Sequence, residues 1–286
     1  MNYSISRHES LLTIHSVDPR VSHFPLMDSP FPVIIIIFFW FKFILQWGPN
    51  YMKTRPPMEL KQLMIVYNII QIVVNTYLFF YIIKARNVID WSCASVDYSG
   101  SYWGMTFVKM TYLYFLLKIF DLLDTVFFVL RKKDNHVSFL HTYHHFGMVC
   151  VSWIGTKFVA GGHSYFLGLA NAPVHVILYL YYLLTSYDSK FGKILWLKKF
   201  ITQAQLIQFA FMIYKYGQLF VNDCDYPKVV SFFLVPQNIF MIVLFGDFYV
   251  KTYILAPKRR KKQLEDEKEH LGMDNNQTTT ATKNCS

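Results

Sequence analysis

The sequence predicts an all-α integral membrane protein with seven transmembrane helices, and three observations carry that prediction. Of its 286 residues 53% are apolar, 19% are aromatic and only 16% are charged. Apolar runs near the ~20 residues that a helix needs to cross a bilayer recur along the chain, separated by short charged or Pro/Gly-bearing breaks. The 28 Lys and Arg exceed the 18 Asp and Glu, for a net charge of +10, and the excess gathers in alternate breaks. A nucleic-acid binder would need far more charge on solvated faces, so no nucleic-acid partner is expected and membrane lipid is. Disorder is excluded by the apolar content. Four cysteines without a Cys-x-x-Cys pair exclude a small disulfide scaffold and a zinc ribbon.

Taken in order, residues 1–31 read as an N-terminal segment outside the bundle, interrupted by Asp18, Arg20 and His23 and without the apolar core and cleavage site of a removable leader. Candidate spans follow at 32–47, 63–83, 106–130, 137–154, 164–185, 200–220 and 229–249, the first short and the third long. Residues 32–250 then form the transmembrane domain. Residues 251–286 begin with a basic cluster suited to lipid headgroups and continue as a Thr-rich stretch expected to be disordered.

Cytosolic loops carry the excess of Lys and Arg. One set of breaks holds Lys53, Arg55, Lys61, Arg131, Lys132, Lys133, Lys190, Lys193, Lys198, Lys199, Lys251, Lys258, Arg259, Arg260, Lys261 and Lys262; the other holds Arg7, Arg20, Lys84, Arg86, Lys157, Lys215 and Lys228. Sixteen against seven predicts a cytosolic C-terminus and a lumenal N-terminus. The sequon at Asn2 then falls on the lumenal side and those at Asn276 and Asn284 on the cytosolic side. Cys93 and Cys224 fall in lumenal loops where oxidation is permitted, and they are expected to pair, two unrelated thiols being the alternative. Cys150 reads as a packing residue inside a span, and Cys285 carries no signal.

Ionisable groups at membrane depth cost roughly 2.5–3.5 kcal/mol each on insertion scales, so those that remain tend to face a bundle interior. Lys118, Asp121 and Thr125 share an arc of about 60° on the third span, with Asp124 pointing elsewhere. An internal Lys-to-Asp ion pair is the plain alternative for the first two. The fourth span opens with His141-Thr142-Tyr143-His144-His145, three imidazoles on one side of the helix. Asn171, His175, Tyr179 and Tyr182 share an 80° arc on the fifth span, and Thr202, Gln205 and Gln208 line the sixth. The Tyr and Gln residues serve equally well as interhelical glue. Together these faces predict a polar chamber in an apolar bundle. Its histidines suit either a metal site of the kind found in desaturases and hydroxylases, or metal-free nucleophilic and general-base catalysis. Metal boxes of that type need about eight histidines. Of the ten here, His8, His15, His23 and His270 lie away from the chamber. A seven-helix receptor or transporter remains the non-enzymatic alternative.

At these residues the chain resembles the very-long-chain fatty acid elongases, the condensing enzymes of microsomal fatty acid elongation. The resemblance starts at Asp18-Pro19-Arg20 and runs through Gly48-Pro49, Leu63 to Asn68, Lys118 to Thr125 and His141 to His145. It continues through Asn171 to His175, Tyr179, Tyr181-Tyr182, Thr202 to Gln205 and Gln208-Phe209, and ends at Phe248-Tyr249. The family usually has Glu in the middle of the Lys-containing motif, where this chain has Asp121, one methylene shorter.

The resemblance implies six helices in an inverted barrel around a substrate tunnel, with the first helix outside, in the endoplasmic reticulum membrane. It implies condensation of a long-chain acyl-CoA with malonyl-CoA to 3-oxoacyl-CoA, CO2 and CoA, without a cofactor or metal. His144 or His175 would carry the acyl group as an acyl-imidazole. His145, His141, Asn171 and Gln205 would orient groups or stabilise oxyanion charge, and Lys118, Asp121, Asp124 and Thr125 would support the histidine face. Contacts with the other elongation-cycle enzymes, and a homodimer, are further expectations.

Overall fold

The computed structural model describes residues 17–260 and Gln263; the sequons at Asn2, Asn276 and Asn284, His8, His15, His270, Arg7, Lys261, Lys262, Cys285 and the Thr-rich tail lie outside them. Helix makes up 79% of the described residues, and no strand occurs among them. The helices are α1 (Phe31–Lys42), α2 (Gly48–Met52), α3 (Lys61–Lys84), α4 (Tyr102–Phe120), α5 (Leu122–Leu130), α6 (Phe139–Phe158), α7 (Ser164–Tyr187), α8 (Leu195–Val221) and α9 (Lys228–Tyr249). Four helical stretches, 31–52, 61–87, 164–187 and 228–260, are long and apolar enough to cross a bilayer by length and composition. At 1.5 Å per residue α3 alone is about 36 Å long, more than a hydrocarbon core of about 30 Å.

The first span is longer than its sequence suggests. Gly48-Pro49 reads as a stop because proline removes a helical N–H and crowds the carbonyl four residues back. Here the chain continues through a π-helical turn at Phe43–Trp47, in which the Gly48 N–H donates to the Phe43 carbonyl, and α2 follows without a gap. Gly48 sits where this helix meets α5, and a Cβ there would lie 2.6 Å from Val129 Cγ1. The third span, in contrast, is two helices. At Asp121 the ladder tightens to an i→i+3 bond, from the Asp124 N–H to the Asp121 carbonyl at 3.1 Å, and α4 gives way to α5.

Loop contacts divide the molecule into two ends. At one end, Asp18 N–H donates to the Lys157 carbonyl (3.0 Å), Trp153 Nε1 to the Leu26 carbonyl (2.9 Å) and Arg20 to the Asp97 carbonyl. A disulfide joins Cys93 to Cys224 there, with Cα atoms 5.3 Å apart. Between α6 and α7 the chain reverses at Gly161 and Gly162, whose φ values are +102° and +52°. A Cβ on Gly162 would meet the Ala94 carbonyl oxygen at 2.8 Å, so only glycine fits under that loop. At the opposite end, Met58 N–H donates to the Leu130 carbonyl (3.0 Å) and Lys61 Nζ to the Tyr187 carbonyl (3.2 Å). This second end carries the breaks richest in Lys and Arg.

Several lysines counted with the breaks lie within helices, and two of them are buried well inside the protein. Lys157, in the last turn of α6, is buried and donates to the carbonyls of Met27 and Asp28. Lys215, within α8, is buried against the Phe166 ring and donates to the Trp91 carbonyl and to Gln218 Oε1. Both long side chains reach the first end's loops, where carbonyl oxygens solvate their ammonium groups; for Lys157 that lets α6 run to Phe158, past the end expected at 154, whereas Lys215 lies inside the span expected at 200–220.

Candidate active site

The site is assembled by α3, α4, α5, α6 and α7. Ser138 starts α6 as its N-cap, accepting from the His141 N–H at 3.2 Å, so His141, His144 and His145 occupy the first two turns. His141 Nε2 lies 2.9 Å from Thr125 Oγ1 on α5, which anchors its ring. The His141 and His145 rings stand 4.2 Å apart and those of His144 and His145 5.7 Å. Phe209 and Phe245 meet the His144 ring edge-on at 6.4 and 6.5 Å. Among the described residues no protein hydrogen bond is made by either ring nitrogen of His144 or His145, so their lone pairs remain available to a substrate.

Lys118 Nζ donates to Asp121 Oδ2 at 2.9 Å, and both residues are 1% exposed. The same ammonium lies 3.5 Å from His175 Nδ1 on α7, with Asp121 Oδ2 at 3.8 Å from that nitrogen. A buried ion pair needs its remaining hydrogen-bonding capacity filled. Gln71 on α3 fills it, donating from Nε2 to Asp121 Oδ1 at 2.7 Å. Gln71 is itself held: its carbonyl oxygens accept from Asn75 Nδ2 at 2.8 Å (backbone) and 3.3 Å (side chain).

Asp124 does not point away from this group. It is buried and accepts from the Tyr179 hydroxyl at 2.7 Å. The tightened turn at Asp121 shifts the angular relation between Asp121 and Asp124, so an even 100° per residue misplaces the second carboxylate. Tyr179 spans both, at 3.3 Å from Asp121 Oδ1, and Tyr67 packs edge-on against it with ring centres 5.8 Å apart. Asn171 Oδ1 accepts from the Tyr114 hydroxyl at 2.9 Å.

The remaining predicted residues are less engaged. The Tyr182 ring packs edge-on against Tyr179 at 5.9 Å. Thr202 is buried and its hydroxyl donates to its own helix, at the Lys198 carbonyl. Gln205 makes no side-chain hydrogen bond among the described residues, and the buried Oε1 of Gln208 has no partner there. Cys150 is a half-buried free thiol. Tyr67, Gln71, Asn75 and Tyr114 were not singled out from sequence. The signal for three of them is Tyr67, Gln71 and Asn75 at four-residue spacing, a polar stripe on a mostly apolar helix.

On the disulfide side of the histidines lies a cavity of about 290 Å³ with an almost wholly apolar wall, to which Leu78, Met110, Tyr114, Gly155, Leu167 and Leu234 contribute. Among the described residues no three His, Cys, Asp or Glu side chains converge in an arrangement that could hold a metal ion. The arrangement therefore combines unpartnered imidazoles, a buried ammonium–carboxylate–imidazole group across from them, and an apolar space beyond. That combination suits an acyl group whose carbonyl is at the histidines and whose tail is in the cavity.

Comparison with known proteins agrees in extent and kind. The chain is 40% identical over 247 residues to human very long chain fatty acid elongase 4, an alignment covering 85% of this chain and 78% of the relative. It is 38% identical over 257 residues to rat very long chain fatty acid elongase 7, covering 88% and 91%. To the Drosophila melanogaster very long chain fatty acid elongase 7 it is 38% identical over 251 residues, covering 87% and 76%. The ELO family model, described as the GNS1/SUR4 family, matches residues 25–262, a stretch that includes every residue of the site described above. The chain belongs to the GNS1/SUR4 (ELO) family.

Proposed function

We propose that this protein is a very-long-chain fatty acid elongase, a 3-oxoacyl-CoA synthase that condenses a long-chain acyl-CoA with malonyl-CoA to release CO2 and CoA. The observation that carries this reading is the unpartnered His144 and His145 facing the Lys118–Asp121–His175 group, with an apolar cavity toward the disulfide end. The relatives' shared name, very long chain fatty acid elongase, supports it. So does the basic end of the molecule, whose Lys and Arg suit the phosphates of CoA.

In the first half-reaction the His144 imidazole attacks the acyl thioester carbonyl, the C–S bond breaks, and CoA leaves as the thiol after taking up a proton. His175 is the less suitable carrier as it stands. An ammonium has only N–H bonds to offer, so the Nδ1 lone pair facing Lys118 is the acceptor and the ring proton sits on Nε2. That makes His175 a hydrogen-bond donor across the chamber. In the second half-reaction malonyl-CoA loses CO2, and the electron pair left on its C2 attacks the acyl carbonyl and expels the imidazole. Asn171, His145 and His141 stabilise the oxyanion or orient the reacting groups, and the apolar surroundings keep water from the acyl-imidazole. The reaction is assigned no metal or cofactor.

The proposal includes seven crossings, with 106–130 and 200–220 among them, and six of the helices closing an inverted barrel around the substrate tunnel. The end bearing the Cys93–Cys224 disulfide faces the oxidising lumen of the endoplasmic reticulum and the Lys/Arg-rich end faces the cytosol. The test is incubation of membranes bearing the protein with labelled malonyl-CoA and a panel of acyl-CoAs. Two-carbon-extended 3-oxoacyl products are expected, and their absence across the whole panel removes the reading.

A further inference from the structure

Tyr114 joins three features that otherwise have no contact in common. Its ring lies on the wall of the apolar cavity, the Lys118 ammonium sits 4.9 Å from the ring centre, and its hydroxyl donates to Asn171 Oδ1 at 2.9 Å. The residue is one turn of α4 before Lys118, and Asn171 is one turn of α7 before His175, so the Tyr114–Asn171 bond lies one turn from the Lys118–His175 contact, between the same two helices. Toward the disulfide end the next neighbours of Tyr114 are Leu78, Met110 and Leu167, all apolar. Tyr114 is thus the boundary between the polar chamber and the apolar cavity, and a carbonyl whose tail enters that cavity must pass it.

A carboxamide has two ends with opposite hydrogen-bonding character, and either can face a neighbour after a half-turn about χ2. In a buried site that choice matters, because an oxygen turned toward a developing oxyanion repels it and an N–H stabilises it. The Tyr114 hydroxyl donates to Oδ1 in this arrangement, which turns the N–H end of the amide away from it. The Asn171 Nδ2 group then has no acceptor among the described residues, although Asn171 is 1% exposed. The Nδ2 atom is not one of the fully enclosed side-chain atoms that lack a partner, so it borders open space that an acceptor can enter, and an N–H left there gains a hydrogen bond when one does.

We propose that Tyr114 is a positioning residue of the condensation: by fixing the Asn171 amide it directs the Nδ2 hydrogens at the carbonyl oxygen of the bound acyl group, where they stabilise the tetrahedral oxyanion of both half-reactions. The inference rests on the elongase reading and deepens it by naming how the oxyanion donor is oriented. No bond to Tyr114 forms or breaks. Its ring separately shapes the cavity mouth, so the hydroxyl and the ring have different readouts.

The test compares wild-type, Tyr114→Phe, Asn171→Ala and the double variant in membranes, with labelled malonyl-CoA and acyl-CoAs of graded length. Tyr114→Phe keeps the ring and removes only the hydroxyl. It is expected to lower kcat by about 10- to 100-fold, the scale of loss when a reacting group is misplaced by around 1 Å, with KM for acyl-CoA changed by less than about twofold and the chain-length profile unchanged. Asn171→Ala should lose at least as much, and the double variant should match Asn171→Ala alone, because the hydroxyl has nothing left to orient. Asn171→Asp is the second probe. It keeps an oxygen for the Tyr114 hydroxyl but has no N–H to give, so it should lose activity as Asn171→Ala does. Wild-type kcat in Tyr114→Phe or Asn171→Asp, or a further loss in the double variant, overturns the proposal. Wild-type membranes that extend no acyl-CoA overturn the elongase reading and the proposal together, so the two failures are distinguishable.

Discussion

Lys118 and Asp121 owe their tolerance at membrane depth to one another and to Gln71. Removing the ammonium leaves a buried carboxylate with only an amide and a tyrosine to solvate it, and breaking such a pair costs about 3–5 kcal/mol. Lys118→Met is therefore expected to unfold at clearly lower temperature in detergent, while Lys118→Met with Asp121→Asn should recover most of the lost stability and none of the condensing activity. A single variant as heat-stable as wild type would mean the pair is not carrying its own burial cost. His144 behaves oppositely: its ring makes no protein hydrogen bond among the described residues and is only half-buried, so His144→Ala should fold and abolish product. Near-normal extension by that variant would move the acyl group to another histidine. The histidine run and the Lys118–Asp121 spacing were legible in the sequence because both signals are local to one helix. Gln71 was not, since its role depends on α3 packing against α7 and α4, and Asp124 was misaimed because the turn at Asp121 departs from an even helix.

Element boundaries were read from charge and from proline, and those cues failed where the structure supplies another way to satisfy the backbone or the charge. The π-helical turn carries the first helix past Gly48-Pro49, and loop carbonyls receive Lys157, so α6 runs past its expected end. The loops of the disulfide end are organised in part by His163, just before α7. It accepts from the Ala94 N–H at Nδ1 (3.3 Å) and faces the Lys215 carbonyl with Nε2 (3.0 Å), so it is held as the neutral Nε2–H tautomer. Burial pushes its pKa down to about 4, against about 6.5 in the unfolded chain. Between those values the unfolded chain binds a proton that the folded one refuses, so stability is lost as pH falls from about 6.5 toward 4, by up to one proton or about 1.4 kcal/mol per pH unit. His163→Gln can make both hydrogen bonds without titrating. Its melting temperature in detergent should fall less steeply over that window than that of the wild type, and equal slopes would show that His163 does not refuse the proton in the folded protein.

At the scale of the whole molecule, the charge asymmetry and the site share one axis. The breaks richest in Lys and Arg cluster at the end where α6 begins, the histidines lie on its first two turns, and the apolar cavity extends toward the disulfide end. The charge pattern was legible because it needs only the order of segments; the cavity was not, because its wall draws on side chains from α3, α4, α6, α7, α8 and α9. This polarity makes a specific prediction about Gly155. It lies on the cavity wall about 16 Å along α6 from His144 at 1.5 Å per residue, and a Cβ added there meets nothing nearer than Ser164 Oγ at 4.0 Å. Side chains on a helix lean toward its N-terminus, which on α6 is the direction of the histidines. In Gly155→Phe the ring would enter the cavity rather than press on packed atoms, and the loss of a mid-helix glycine itself favours the helix by about 1 kcal/mol or less. The variant should therefore remain as stable as wild type, extend short acyl-CoAs at near-normal rates and fail on the longest chains that wild type accepts. The measurement is the length profile of labelled products across an acyl-CoA panel; an unshifted profile would mean that the acyl tail does not occupy this cavity, even if condensation at the histidines is intact.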